Sequence, residues 1–344
     1  MSKFLKYNNS TIYSNTLEDK DIVYEHLRKR LSLVDLVSDS VVGQKNLVYF
    51  TVSGDDSYIC LLEMCLKSII KFTPDINFDI LFITQENFVD KIRAISCLSN
   101  FLAYYHIVES PEDGIAASAQ KIQIFKYKNI NEYKKILYID CDIVCVKPIC
   151  ELFNIEFDPK YIQVASNPTV KLDAWDTNVV FFGLGYLKPE HKKYIETSQV
   201  TPFNAGQFMF YNTERMRAHF ENIIWLMSVW PGPYFFEQSF MNFYFGLHGL
   251  TKKDVLSPRA SLISVGTFTE ARGVGSVYDR KFVEVNGKKI LQVREKLNTV
   301  YGSSFFEEYK IENYHLIHFI GMTLDGTKKL EFAKKFLELK NICL

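Results

Sequence analysis

The chain has 344 residues, 47% of them apolar, enough to fill the core of one large α/β domain or of two ordinary ones. Lysine plus arginine and aspartate plus glutamate both total 40, so no global field draws the molecule to nucleic acid or anionic lipid. Any polyanion it binds must be held by a local site.

The opening MSKFLKYNNSTIYSN has no apolar run resembling a signal peptide, and no stretch approaches the ~18 uninterrupted apolar residues of a membrane span. The expectation is a soluble, cytoplasmic protein. The seven cysteines lack the spacing of a secreted framework, which suits reduced thiols; the C-x3-C-x4-C run Cys141, Cys145 and Cys150 is not that of a zinc site. Residues 1–44 read as an appendage in which Val23, Leu27, Leu31, Val34 and Leu36 recur at near-helical spacing, predicting an amphipathic helix packed on the main body.

From residue 45 the pattern alternates. NLVYFTVSG predicts a strand ending in the polar run Ser53–Ser57, and YICLLEMCLKSIIKF predicts a helix. FDILFIT, LAYYHIV and KKILYID predict further strands, with NFVDKIRAISCL and AASAQKIQIFKYKNI as the helices between them. Such alternation predicts an α/β fold with a largely parallel sheet flanked by helices, and ligands collect where loops converge at the carboxyl ends of the strands. Further on, YIQVAS and GQFMFYN predict strands, TERMRAHFENIIWLMSVW a helix stopped by Pro231-Gly232-Pro233, and EQSFMNFYFGL another helix. Around Asn286-Gly287, KFVEV and KKILQV predict a β-hairpin within an insertion at about 258–300. The expected organisation is a single main domain over 45–330 with the appendage before it and a helix over 331–344 after it.

The segment KILYIDCDIVCVKPICELF places Asp140 and Asp142 just after an apolar strand. On an extended strand both point one way, with Cα atoms about 6.5–7 Å apart, while Cys141 points the other. Two such carboxylates suit one hard divalent ion that keeps positions open for phosphate oxygens. The alternative is that one aspartate caps a turn and the other is solvated.

Taken whole, YIDCDIVCVKPICELF resembles the D-x-D segment of glycogenin-like, retaining nucleotide-sugar transferases, glycosyltransferase family 8. The resemblance implies a GT-A type, Rossmann-like, mixed and mostly parallel sheet. It implies transfer of a hexose from a UDP-sugar to a hydroxyl of a glycan or protein acceptor with retention of configuration, a hexosyltransferase activity using Mn²⁺ or Mg²⁺.

Compared with the family, TVSGDDSY places Thr51, Val52, Asp55 and Tyr58 beside the nucleotide, although Asp55, Asp56 or Ser57 can equally cap the following helix. Lys121 matches the family's basic residue reaching the sugar-diphosphate. PFNAGQFMF supplies Asn204, Ala205 and Gly206, whose small size lets backbone approach the donor. EQSFMN supplies Glu237 to hold the sugar, Gln238 near the anomeric carbon, and Asn242. HLIHFIGMTLDG supplies His318 as third metal ligand with Asp140 and Asp142, and Gly321; Cys141 lies between the aspartates against the donor. Leu324 stands where the family has a lysine, so the contact to the leaving diphosphate falls to Lys328 or Lys329, four or five residues later, or is lost.

Two other readings stay open at this level. D-x-D-x-V also opens haloacid-dehalogenase-like phosphatases, with the first aspartate as nucleophile, although there the motif begins the fold. A non-catalytic sugar-nucleotide-binding or scaffolding protein would keep the fold and lose turnover. Trp225, Trp230, Trp175, Asp173 and Asp176 are candidates for an acceptor saccharide site, or core residues. No nucleic-acid partner is indicated, and association into a homodimer is left open.

Overall fold

The computed structural model describes residues 20–111, 114–166, 188–197, 202–230, 236–264, 281–285, 288–292, 311–320 and 326–344. Helix α1 (Lys20–Val34) leads to β1 (Lys45–Val52), α2 (Ser57–Phe72), β2 (Phe78–Thr84), α3 (Glu86–Arg93), β3 (Ala103–Ile107), α4 (Gly114–Ala119) and β4 (Tyr133–Ile139). Then follow β5 (Ile143–Cys145), α5 (Cys150–Phe153), β6 (Ile162–Ser166), α6 (Pro189–Thr197), β7 (Phe203–Tyr211), α7 (Glu214–Val229) and α8 (Phe236–Met241). The rest is β8 (Thr251–Lys252), β9 (Ala260–Ser264), β10 (Lys281–Val285), β11 (Lys288–Gln292), β12 (Leu316–Ile320) and α9 (Gly326–Leu339).

Seven strands form the central sheet in the order β3-β2-β1-β4-β7-β6-β8. The pairs among β3, β2, β1 and β4 are parallel, whereas β7 runs antiparallel to both β4 and β6. The mixed, helix-flanked α/β sheet expected from the sequence is what forms. Its strands carry apolar residues on both faces. Val48, Phe50, Ile80, Phe82, Leu137, Ile139 and Met209 bury beneath α2, α3 and α9, and Leu47, Tyr49, Leu81, Ile83, Tyr138, Phe208 and Phe210 beneath α1, α7 and α8. A second sheet, β5-β12-β9, covers the first of these faces, with β12 antiparallel to β5 and parallel to β9. Thus Ala260–Ser264, early in the stretch read as an insertion, is a strand of this small sheet, while β10 and β11 pair antiparallel as the hairpin pattern predicts.

Two stretches depart from the helices expected of them. Between 114 and 132 only Gly114–Ala119 is α-helical, followed by 3-10 turns at Gln120–Lys126 and Ile130–Glu132. Gln120, Lys121, Ile122 and Ile124 are all buried, more than one stripe of an α-helix can carry. Likewise α8 widens into a π turn at Asn242–Gly246, all five residues of which are buried. The appendage docks as predicted, through Val23, Leu27 and Val34, but the helix ends there and Leu36 is exposed. Arg30 lies over the Trp225 ring and Trp230 packs on Tyr24 and Phe243, so these two tryptophans fasten α1 to the body.

α7 is capped by Thr213, whose hydroxyl accepts from the Met216 N–H at 3.0 Å. Its buried His219 accepts from the Tyr244 hydroxyl at 2.9 Å, and Asn222 donates to the same hydroxyl. Burial lowers the His219 pKa to about 3, so the imidazole stays neutral in the fold and takes a proton only on unfolding. Its contribution is therefore complete above about pH 6.5 and declines as pH falls toward 3. Urea denaturation should show about 1 kcal/mol lost from this residue between pH 6.5 and 5.5. His219→Gln, which keeps a partner for Tyr244, should reduce the pH dependence by about that amount.

Candidate active site

β4 leaves the central sheet at Ile139, and the two aspartates lie in the turn that follows, not on one extended strand. The Asp140 N–H donates to the Gly206 carbonyl at 2.8 Å, and the Ile143 N–H donates back to the Asp140 carbonyl at 3.2 Å. The chain then enters the small sheet, where Ile143 pairs with His318 and the Asp142 carbonyl accepts from Phe319 N–H. Asp140 thus belongs to the edge of one sheet, and Asp142 and His318 to another. The turn between them makes the three converge: one ligand atom from each lies within 4.8 Å of the others.

His318 Nε2 is 3.0 Å from Asp142 Oδ1 and 3.7 Å from Asp140 Oδ2. His318 Nδ1 is buried and makes no hydrogen bond, and Asp142 Oδ1 is buried with the His318 imidazole beside it, so the donor set keeps buried polar capacity for a partner. Two carboxylates and an imidazole fit a divalent ion of the Mn²⁺ or Mg²⁺ kind, the nitrogen favouring Mn²⁺.

A buried lysine, Lys121, and a largely buried one, Lys329, compensate the acids. Lys121 Nζ lies 2.9 Å from Glu237 Oε1 and 3.4 Å from Asp140 Oδ1, and donates to the Ala205 carbonyl at 3.3 Å. Burial opposes its charge, but the Asp140 and Glu237 carboxylates hold it above lysine's ordinary range. Lys329 Nζ contacts Asp142 Oδ2 at 2.5 Å. Burial likewise disfavours the Asp142 charge, yet Lys329 and then His318 keep its carboxyl well below the usual carboxylate range. Three acids facing two ammoniums leave the cluster one negative charge, before any cation is added.

The remaining expected residues fall around this centre in different ways. Asn204 Oδ1 accepts from Gly206 N–H at 2.8 Å, and Gln238 Oε1 accepts from Ala205 N–H at 2.9 Å. Asn242 brackets Phe203 through its N–H and carbonyl. These bonds fall beside the shift in the β6–β7 register, so Gln238 and Asn242 help hold the start of β7. Gly206 is a requirement of space, since a Cβ there would lie 2.1 Å from His318 Cε1 and 2.7 Å from Asp140 Oδ2.

At the end of β1, Asp55 accepts from the Ser57 N–H at 2.8 Å, the capping role left open for it, and Tyr58 is half-buried nearby. Val52 is wholly buried and its carbonyl accepts from Thr84, while Cys141 Sγ lies 3.5 Å from the Thr51 carbonyl. All seven cysteines are free thiols. Gly321, Leu324, Asp173, Trp175 and Asp176, and the side chain of Lys328, lie outside the described residues.

Of the two lysines offered in place of the one at Leu324, Lys329 is the one whose described side chain meets Asp142. The signal was present: the inward side of α9 is Phe332, Ala333, Phe336 and Leu337, and Lys329 precedes them by three, four, seven and eight residues. A side chain on Gly326 would collide with Ser57 Oγ at 2.0 Å, so this glycine lets α9 abut the start of α2 and brings Lys329 to Asp142.

A family model described as glycosyl transferase family 8 matches residues 50–323. Among curated proteins, galactinol synthase 7 of Arabidopsis thaliana is 26% identical over 227 residues, covering 62% of this chain and 65% of that protein. Galactinol synthase 4 of the same plant is 27% identical over 146 residues, covering 39% and 42%. The chain therefore matches less than two thirds of either relative's length. Among solved structures, the galactosyltransferase LgtC with donor and acceptor sugar analogues aligns over 87% of this chain and 97% of its own, at 14% identity and TM-score 0.48. The bifunctional glycosyltransferase WbbM aligns over 87% and 51%, at 14% identity and TM-score 0.49.

Gly206→Ala should force His318 or Asp140 to move and destabilise the fold by about 1–3 kcal/mol, the usual cost of overpacking. Urea denaturation of the variant beside the wild type measures it.

Proposed function

The chain belongs to glycosyltransferase family 8, and from that premise we propose that it transfers a hexose from a UDP-sugar to a hydroxyl acceptor, with retention at the anomeric carbon and with Mn²⁺ or Mg²⁺. The observation that carries this reading is the convergence of Asp140, Asp142 and His318 from two sheets, flanked by Lys121 and Lys329. These three side chains would hold the ion, which when bound neutralises charge growing on the departing UDP. Lys121 and Lys329 stand at the same cluster and would add positive charge near the diphosphate, with Lys329 taking the part of the lysine that Leu324 replaces. Glu237, fixed by Lys121, would hold the transferred sugar, and Gln238 would border the anomeric carbon. Thr51, Asp55 and Tyr58 at the end of β1 would border the nucleotide.

Family membership sets aside the phosphatase reading of the same aspartates. The binding-protein reading differs from the transferase reading in one observable, the release of UDP. Among the described residues no helix is long and apolar enough to cross a membrane.

The test is a panel of UDP-hexoses scored for UDP release with Mn²⁺ and with chelator. The expected result is release from at least one donor only with the ion; no release from any donor would leave a binding module. Asp140→Asn should lower the metal-dependent rate by about 100-fold or more. Lys121 keeps Glu237 as partner in that variant, so its circular dichroism should be native. Lys329→Met should lower the rate at least about tenfold, because Lys329 meets Asp142 from the inward stripe of α9.

A further inference from the structure

Tyr138 lies two residues before Asp140 on β4. Its ring is packed against Tyr49 and Phe208, at centroid distances of 4.8 and 5.0 Å, with the Lys121 ammonium 4.7 Å from its centre. Its hydroxyl contacts two groups, Asp140 Oδ1 and Thr51 Oγ1, the latter at 2.8 Å. A carboxylate oxygen only accepts, so the phenolic proton is directed to Asp140 and the Thr51 hydroxyl donates to the phenol oxygen.

The two oxygens of Asp140 therefore have different surroundings. Oδ1 receives Tyr138 and, at 3.4 Å, Lys121; Oδ2 faces the His318 imidazole. We propose that Tyr138 is a positioning residue that holds Asp140 Oδ1 and so turns Oδ2 alone toward the metal ion, with Thr51 at the end of β1 aligning the phenol. The proposal rests on the metal-site reading above. The terminal torsion of an aspartate is broad and has two nearly equivalent settings, so without the hydroxyl the carboxylate is free to rotate. Losing such an outer partner of a ligand costs about 10- to 100-fold in metal affinity. Through Thr51 the same arrangement ties the strand end expected to border the nucleotide to a metal-binding carboxylate.

The experiment is a Mn²⁺ titration of the purified full chain, read by the free-ion electron paramagnetic resonance signal with no sugar donor present. Tyr138→Phe keeps the ring packing and should raise the dissociation constant about 10- to 100-fold while shifting the melting temperature by no more than about 4 °C. Thr51→Val should raise it less, about two- to fivefold, and the double variant should bind no more weakly than Tyr138→Phe alone, because Thr51 acts through the phenol. Wild-type affinity in Tyr138→Phe, or full additivity of the two changes, would overturn the proposal. A wild-type chain that takes up no Mn²⁺ overturns it together with the metal reading. Weakened Mn²⁺ binding in Tyr138→Phe, in a chain that releases UDP from no donor, upholds the positioning role while the transferase reading fails.

Discussion

Two carboxylates brought within a few ångströms of each other in a poorly solvated place repel, and the fold must compensate that repulsion before it can use it. Here the compensation comes from opposite sides. Lys121 reaches Asp140 from the 3-10 segment under one face of the central sheet, and Lys329 reaches Asp142 from α9 on the other. Glu237 shares Lys121, so the cluster keeps a residual negative charge that suits a small, hard cation. That balance explains a neutral protein with a strongly polar centre: opposite charges total the same over the chain and are placed unequally.

Precision in such a centre depends on the elements beneath it. Tyr49, Tyr138 and Phe208 form a buried aromatic layer across three adjacent strands, and their polar tips fix what lies above. The Tyr49 hydroxyl donates to the Lys121 carbonyl at 2.9 Å, and the Tyr138 hydroxyl serves Asp140. The start of β7 is equally constrained, because Asn242 and Gln238 bond its backbone at Phe203 and Ala205, beside the shift in the β6–β7 register. Gly206 can then sit against His318 and Asp140. The turn that carries Asp140 and Asp142 is pinned between β4 and β5, with His318 on β12 and Lys329 on α9, an arrangement more exact than a free loop provides.

The alternation of strands and helices was legible because apolar runs bounded by polar turns have few ways to bury themselves. So was the convergence of Asp140, Asp142 and His318, although the reason given for it, two side chains on one extended strand, does not hold. The strand ends at Ile139, and the aspartates are gathered by a turn into a second sheet that local pattern does not announce. Lys121 was legible as a residue but not as a member of a 3-10 segment, since four nearly consecutive burials are a tertiary fact. Trp225 and Trp230 were ambiguous in sequence because an aromatic ring serves a core and a sugar equally well; their packing against α1 is a tertiary fact.

By itself, then, the sequence determined which side chains could take part: an acidic pair after an apolar strand, a histidine and glycine on later strands, and lysines within reach. Those are chemical identities, and identity is written residue by residue. The tertiary structure decided which lysine faces Asp142, which oxygen of Asp140 is free, and why position 206 has no room for a side chain. Each of these depends on atoms far apart in the chain meeting within about 3 Å, and such distances are set by how two sheets and α9 pack rather than by any local pattern.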